Sequence, residues 1–231
     1  MIFFNEVTKI YPAHLNREEK VVLEDVSFKI EEGEFVCLVG RSGAGKTTIF
    51  NLLLGEEKPT NGNVFFDEIN IHKTSVNNLH RVKRRIGTVF QDYKLLSFKT
   101  VYENIAYAME VTGFPDEEIV KTVPKALSTV ELEKQAFHFP HQISGGEKQR
   151  TAIARALVHD PDVILADEPT GDLDPYNAKD VLNLLLEINK SGTTVILATH
   201  SRDIVNSLGK RVITVKDGKI ANDSDQGKFI L

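Results

Sequence analysis

Apolar and polar positions mix in strand fashion over residues 2–10 and 21–30, with Val7, Val26 and Phe28 favouring extended backbone. A polar stretch from Pro12 to Lys20 separates them and predicts an exposed loop. Phe35 to Val39 is instead a short continuous apolar run, the pattern of a strand buried in a parallel sheet. It ends at Gly40. Helical spacing follows from Lys46 through Leu54, Gly55 stops it, and Pro59 and Gly62 punctuate the loop beyond.

The middle of the chain reads differently. From about Val101 to Leu157 the periodicity is helical, with no convincing strand and with helices predicted over 101–112, 116–131 and 146–158. Pro124 is expected to kink or divide the second of these. Alternation of strand and helix then resumes: Val163 to Ala166 is apolar, 177–190 is helical, Thr193 to Ala198 is apolar, and Arg211 to Val215 is a further strand. Asp217-Gly218 is a tight turn leading into Lys219-Ile220. The sum is an α/β core with a mostly parallel sheet, an antiparallel β portion near the start and a helical lobe inserted at about 92–160.

Composition narrows the function. The 231 residues suit one domain, and a net charge of -5 does not favour a nucleic-acid partner. The basic cluster Arg81-Val82-Lys83-Arg84-Arg85 reads as a solvated helix end. A single cysteine, Cys37, lies in an apolar strand, where it acts as a small hydrophobe, and suits a reducing compartment. No apolar run approaches the roughly 18 residues of a membrane span, and the start lacks the layout of a secretory signal. Any membrane link is therefore expected through a partner.

Three segments carry chemistry. Gly40-Arg41-Ser42-Gly43-Ala44-Gly45-Lys46-Thr47-Thr48 fits G-x-x-x-x-G-K-[ST] between an apolar strand and a helix. Its glycines let successive N–H groups turn inward, and the helix N-terminus adds positive potential. Lys46 is placed for the β- and γ-phosphates of ATP, and the Thr47 hydroxyl for Mg²⁺. The buried strand Val163-Ile164-Leu165-Ala166 ends in Asp167-Glu168, and ligands of parallel sheets sit beyond the carboxyl ends of strands. Asp167 is placed to steer Mg²⁺ and Glu168 to polarise an attacking water. Finally, Ser144-Gly145-Gly146-Glu147 opens a helix. A capping box alone explains Ser144 and Glu147, but paired glycines at a helix start suggest a close backbone approach.

Ile143-Ser144-Gly145-Gly146-Glu147 resembles the signature motif of the ABC ATPase family, usually L-S-G-G-Q, with Ile143 and Glu147 as departures. The match runs along nearly the whole chain. The resemblance implies a single ABC ATPase domain over 1–231: a P-loop NTPase core from 1–91 and 161–231, and a helical signature lobe over 92–160. It implies that Tyr11 stacks on adenine, that Gln91 senses Mg²⁺ and the attacking water, and that His200 contacts the γ-phosphate. Asp172, Leu173 and Asp174 resemble the loop that crosses the dimer interface. Ser144, Gly145, Gly146 and Glu147 would act on the ATP of a second copy, giving an ATP-dependent homodimer.

Glu168 to Asp174 resembles the branch of lipoprotein-releasing, macrolide-export and cell-division ATPases. Phe90 to Leu96 and Thr100 to Asn104 resemble its cell-division (FtsE) members. That implies an integral membrane subunit of FtsX type gripping Asp92 to Thr100, a place at the cytoplasmic face of the membrane, and control of cell-wall hydrolysis. The alternatives are a transporter subunit moving lipoprotein or a small molecule, a soluble mechanical ATPase of the same family, and a small-molecule kinase, which shares the cradle but would not need the Ser144-Gly145-Gly146 segment.

Overall fold

The computed structural model describes residues 1–12 and 19–228, so most of the expected Pro12 to Lys20 loop lies outside the described residues. In chain order the first half contains β1 (Ile2–Tyr11), β2 (Lys20–Ile30), β3 (Phe35–Val39), α1 (Lys46–Leu53), β4 (Asn61–Phe66), β5 (Ile69–Asn70), α2 (Val76–Arg84), β6 (Ile86–Phe90) and α3 (Val101–Thr112). The second half contains α4 (Asp116–Thr129), α5 (Gly145–Leu157), β7 (Val163–Asp167), α6 (Pro175–Lys190), β8 (Thr194–Thr199), α7 (Arg202–Leu208), β9 (Arg211–Lys216) and β10 (Lys219–Ser224). They gather into two compact units, Met1–Lys83 with Ile196–Leu231, and Arg84–Val195.

The first unit holds an antiparallel sheet of order β2-β1-β4-β5. Ile2 faces Ile30 and Phe4 faces Phe28 across β1 and β2, so the apolar alternation lines one buried face. Its second layer contains the parallel pair β3 and β9, with Val36 opposite Arg211 and Val39 opposite Thr214. β10 pairs antiparallel with β9 through the turn at Asp217-Gly218. All five residues of β3 are buried, as expected of a strand covered on both faces. Cys37 is among them, and burial pushes its thiol up to about 12.

The second unit pairs β6 with β7 in parallel, from Ile86 opposite Val163 to Phe90 opposite Asp167. α5 packs on β6, and α3, α4 and α6 pack on α5. The lobe core is laid down by helical spacing: Val101, Ile105 and Met109 on α3, and Ile119, Val123 and Leu127 on α4, are all buried. This spacing overrules the expected division of the helix at Pro124. Pro124 neither divides nor ends α4, which runs unbroken from Asp116 to Thr129. A proline inside a helix costs about 3 kcal/mol. Three buried aliphatic side chains together supply more than that, at about 1.5–3 kcal/mol each. Pro124 itself is exposed, to one side of the buried stripe. The basic cluster closes α2 and runs past it: Val82 is buried, Arg81 and Arg84 are exposed, and Arg85 is paired with Asp162.

The architecture is thus α/β, with an antiparallel sheet, parallel strands and a cluster of helices built on α3, α4 and α5.

Candidate functional site

The glycine-rich loop Gly40 to Gly45 lies in the first unit, between β3 and α1. Gly45 has φ 109°, and a Cβ there would fall 2.7 Å from Leu23 Cδ2. Both conformation and space therefore require glycine. No side chain caps α1, whose first residues are Lys46 and Thr47. The positive potential of a helix start favours an anion there. Lys46 is buried and its ammonium donates to the Gly40 carbonyl at 2.8 Å, which curls the side chain back over the loop. Thr47 is exposed and Thr48 buried. The other loop residues, Arg41, Ser42 and Gly43, face solvent, with Ala44 half-buried.

Tyr11 ends β1 in the same unit. Its hydroxyl donates to Glu57 Oε2 and is hydrogen-bonded to Thr48, next to the cradle. Burial, then the Glu57 carboxylate, raises the Tyr11 hydroxyl above its ordinary pKa. His200 is exposed directly after β8.

The second unit gathers the remaining residues. Because β6 and β7 pair in register up to Phe90 and Asp167, Gln91 and Glu168 leave the sheet at neighbouring carboxyl ends. Glu168 has φ 46°, in the left-handed region that a residue with a side chain occupies at a cost. The turn is fixed by Gly171 N–H donating to the Glu168 carbonyl at 3.1 Å. Gln91 Nε2 donates to Asp172 at 3.4 Å, so the residues after β6 and β7 are brought together. Asp174 is the N-cap of α6, accepting from Tyr176 N and Asn177 N at 3.0 and 3.1 Å.

Ser144 forms the expected capping box on α5. Its hydroxyl accepts from Glu147 N at 3.3 Å and donates to Glu147 Oε2 at 2.8 Å. The Ser144 N–H, bound to the same carboxylate, is the main cause holding Glu147 below the usual carboxylate range. The close approach inferred from the paired glycines is found at Gly146, where a Cβ would fall 2.0 Å from Asn177 Oδ1. Gly145 faces nothing nearer than Tyr93 Oη at 3.4 Å and Leu173 Cδ2 at 3.5 Å, ordinary contact distances. The glycine pair therefore divides its work: one packs α5 against α6, and the other keeps the helix tip open.

Two residues whose roles motif reading did not give hold the segment after Gln91. Arg155 on α5 donates to the carbonyls of Lys94 at 2.6 Å and Tyr93 at 2.8 Å, where both residues have positive φ. Asn104 on α3 is fully buried. Its amide accepts from Leu96 N at 2.8 Å and donates to the carbonyls of Leu96, Lys99 and Thr100 at 2.9–3.1 Å. The signal was present: asparagine is a poor helix former, and Asn104 sits at a core position of α3 beside Ile105. Asn104→Ala is expected to cost about 2 to 3 kcal/mol, because several buried main-chain groups lose their partner. Denaturant titration and faster amide exchange at Leu96 check this.

Comparison with known proteins agrees with the motifs. The ABC transporter family model matches residues 23–171. The cell division ATP-binding protein FtsE of Bacillus subtilis is 45% identical over 229 residues, covering 99% of this chain and 98% of its own. That of Mycobacterium tuberculosis is 44% identical with the same coverage. A dimeric ATP-binding cassette solved in a post-hydrolysis state with ADP and phosphate superposes with a TM-score of 0.87 at 36% identity, covering 99% of this chain and all of the other. With loop, strand ends and signature helix all in family order, the chain belongs to the ABC transporter ATP-binding family and is an ATPase of FtsE-like sequence.

Proposed function

We propose that two copies of this chain close around two ATP molecules and that closure drives an FtsX-like integral membrane subunit in cell division. In this reading the Gly40–Thr48 loop holds the triphosphate, Lys46 neutralises the β- and γ-phosphates, and Tyr11 stacks on adenine. Glu168 accepts a hydrogen bond from the attacking water, with Gln91 and His200 orienting it and the γ-phosphate. By the family resemblance Thr47, Gln91 and Asp167 would supply oxygen donors to Mg²⁺, which when bound would offset phosphate charge. Ser144, Gly145 and Gly146 of one copy meet the γ-phosphate on the other copy, with Glu147 beside them. Asp172, Leu173 and Asp174 line the contact between copies. Hydrolysis divides the negative charge between ADP and phosphate, and the pair opens, because nucleotide affinity differs between the two states. Placement at the cytoplasmic face of the membrane, and control of cell-wall hydrolases, follow from the membrane subunit.

One observation favours a membrane partner at Asp92 to Thr100. This segment is held by Arg155 and Asn104 from within, yet it presents Phe98 at 73% exposure. A rigidly held loop with an exposed aromatic suits docking, since ordering costs little and aromatic anchors dominate interfaces. Phe98→Asp is expected to abolish copurification with a coexpressed FtsX-like membrane protein while leaving ATP hydrolysis by the isolated chain within about twofold, below the tenfold that 1.4 kcal/mol represents. Retention of full copurification by this variant would place the contact elsewhere.

A further inference from the structure

The Tyr11 ring is held on more than one side. Glu57 lies in the loop between α1 and β4 and accepts from the Tyr11 hydroxyl. The same carboxylate receives Lys9 Nζ at 3.1 Å and Asn51 Nδ2, from α1, at 3.3 Å. Lys9 also donates to the Lys58 carbonyl at 2.8 Å, and its ammonium sits 4.9 Å from the centre of the Tyr11 ring. Its side chain is only 14% exposed, so the cation is packed in place and not waving in solvent. Burial would raise the pKa of Glu57, but hydrogen bonds from Tyr11, Lys9 and Asn51 outweigh it and keep the carboxyl ionised. Two further bonds stitch this loop to β1: Thr60 N–H to the Thr8 carbonyl at 2.8 Å, and Ile10 N–H to Thr60 Oγ1 at 2.9 Å.

We propose that Lys9 and Glu57 are positioning residues for ATP: Lys9 covers one face of the Tyr11 ring, Glu57 fixes its hydroxyl, and the opposite face is thereby presented as the adenine platform. This rests on the reading that Tyr11 stacks on adenine. The physical argument is preorganisation. A tyrosine at the end of a strand would otherwise have rotamer freedom to lose on binding, and here that freedom is already spent in the free protein. The ammonium completes a cation–π contact on the back of the ring, so only one face remains for a base. Because Glu57 is tied to Asn51 of α1, and Tyr11 to Thr48 at the helix start, the platform is also kept at a set distance from the phosphate cradle.

The test is equilibrium titration of the full chain with ATP and with inorganic tripolyphosphate, which has no base. Glu57→Gln and Lys9→Met are each expected to weaken ATP roughly three- to tenfold and to leave tripolyphosphate unchanged, with Tyr11→Phe tracking Glu57→Gln. In a Tyr11→Ala background, Glu57→Gln should add nothing, since there is no ring left to hold. The inference is overturned if Glu57→Gln and Lys9→Met bind ATP like the parent. Equal weakening of ATP and tripolyphosphate also overturns it, because that result locates the effect in the cradle. If Tyr11→Ala itself binds ATP as well as the parent, the stacking reading has failed. A normal Tyr11→Ala loss beside silent Glu57→Gln and Lys9→Met defeats the positioning claim alone.

Discussion

Glu168→Gln is expected to reduce steady-state ATP hydrolysis by roughly two to four orders of magnitude, the range that a positioned general base supplies. ATP binding should survive. The amide matches the carboxylate in shape, so it can keep the left-handed turn that aims residue 168 away from the end of β7. What it loses is the ability to draw a proton from water. With chemistry stopped, the closed pair cannot discharge its nucleotides, and the variant should accumulate as a dimer in ATP while the parent cycles. Phosphate release and light scattering after gel filtration measure both effects. Parental turnover would remove Glu168 from its role, and a strictly monomeric ATP-loaded variant would refute the paired closure.

Lys46→Ala should act at the opposite end of the cycle, weakening ATP by roughly 10- to 100-fold, the worth of one or more hydrogen bonds to a charged group. Lys46 is a buried ammonium whose partner in the free protein includes the Gly40 carbonyl at 2.8 Å. The same side chain that shapes the loop is thus held beside it. Calorimetric titration checks the affinity, and a thermal melt without nucleotide separates it from damage to the loop. Binding at the parental level would contradict the assignment.

Much of the arrangement was legible because the decisive signals are local. Phe35 to Val39 followed by Gly40 to Thr48 states a strand, a curled loop and a helix in consecutive residues. Val163 to Glu168 states a buried strand with two carboxylates at its end. The register between β6 and β7, which brings Gln91 alongside Glu168, was not legible, because pairing joins residues about 77 apart, as for Ile86 and Val163. Pro124 misled for a related reason. The local rule for proline is sound, but the burial of Ile119, Val123 and Leu127 that overrides it comes from α3 and α5. Arg155 carries no motif, and the resemblance over Thr100 to Asn104 says nothing of what the Asn104 amide holds. Their meaning lies in carbonyls of a loop reached only after folding.

Cys37, the lone thiol of the sequence, is sealed inside β3 and stays protonated at neutral pH. The natural protein is therefore already a silent background for thiol chemistry. A reporter cysteine set at an exposed site such as Val120, 64% accessible on α4, would take a spin or fluorescent label alone. Two labelled copies would then act as a ruler for the closure proposed above.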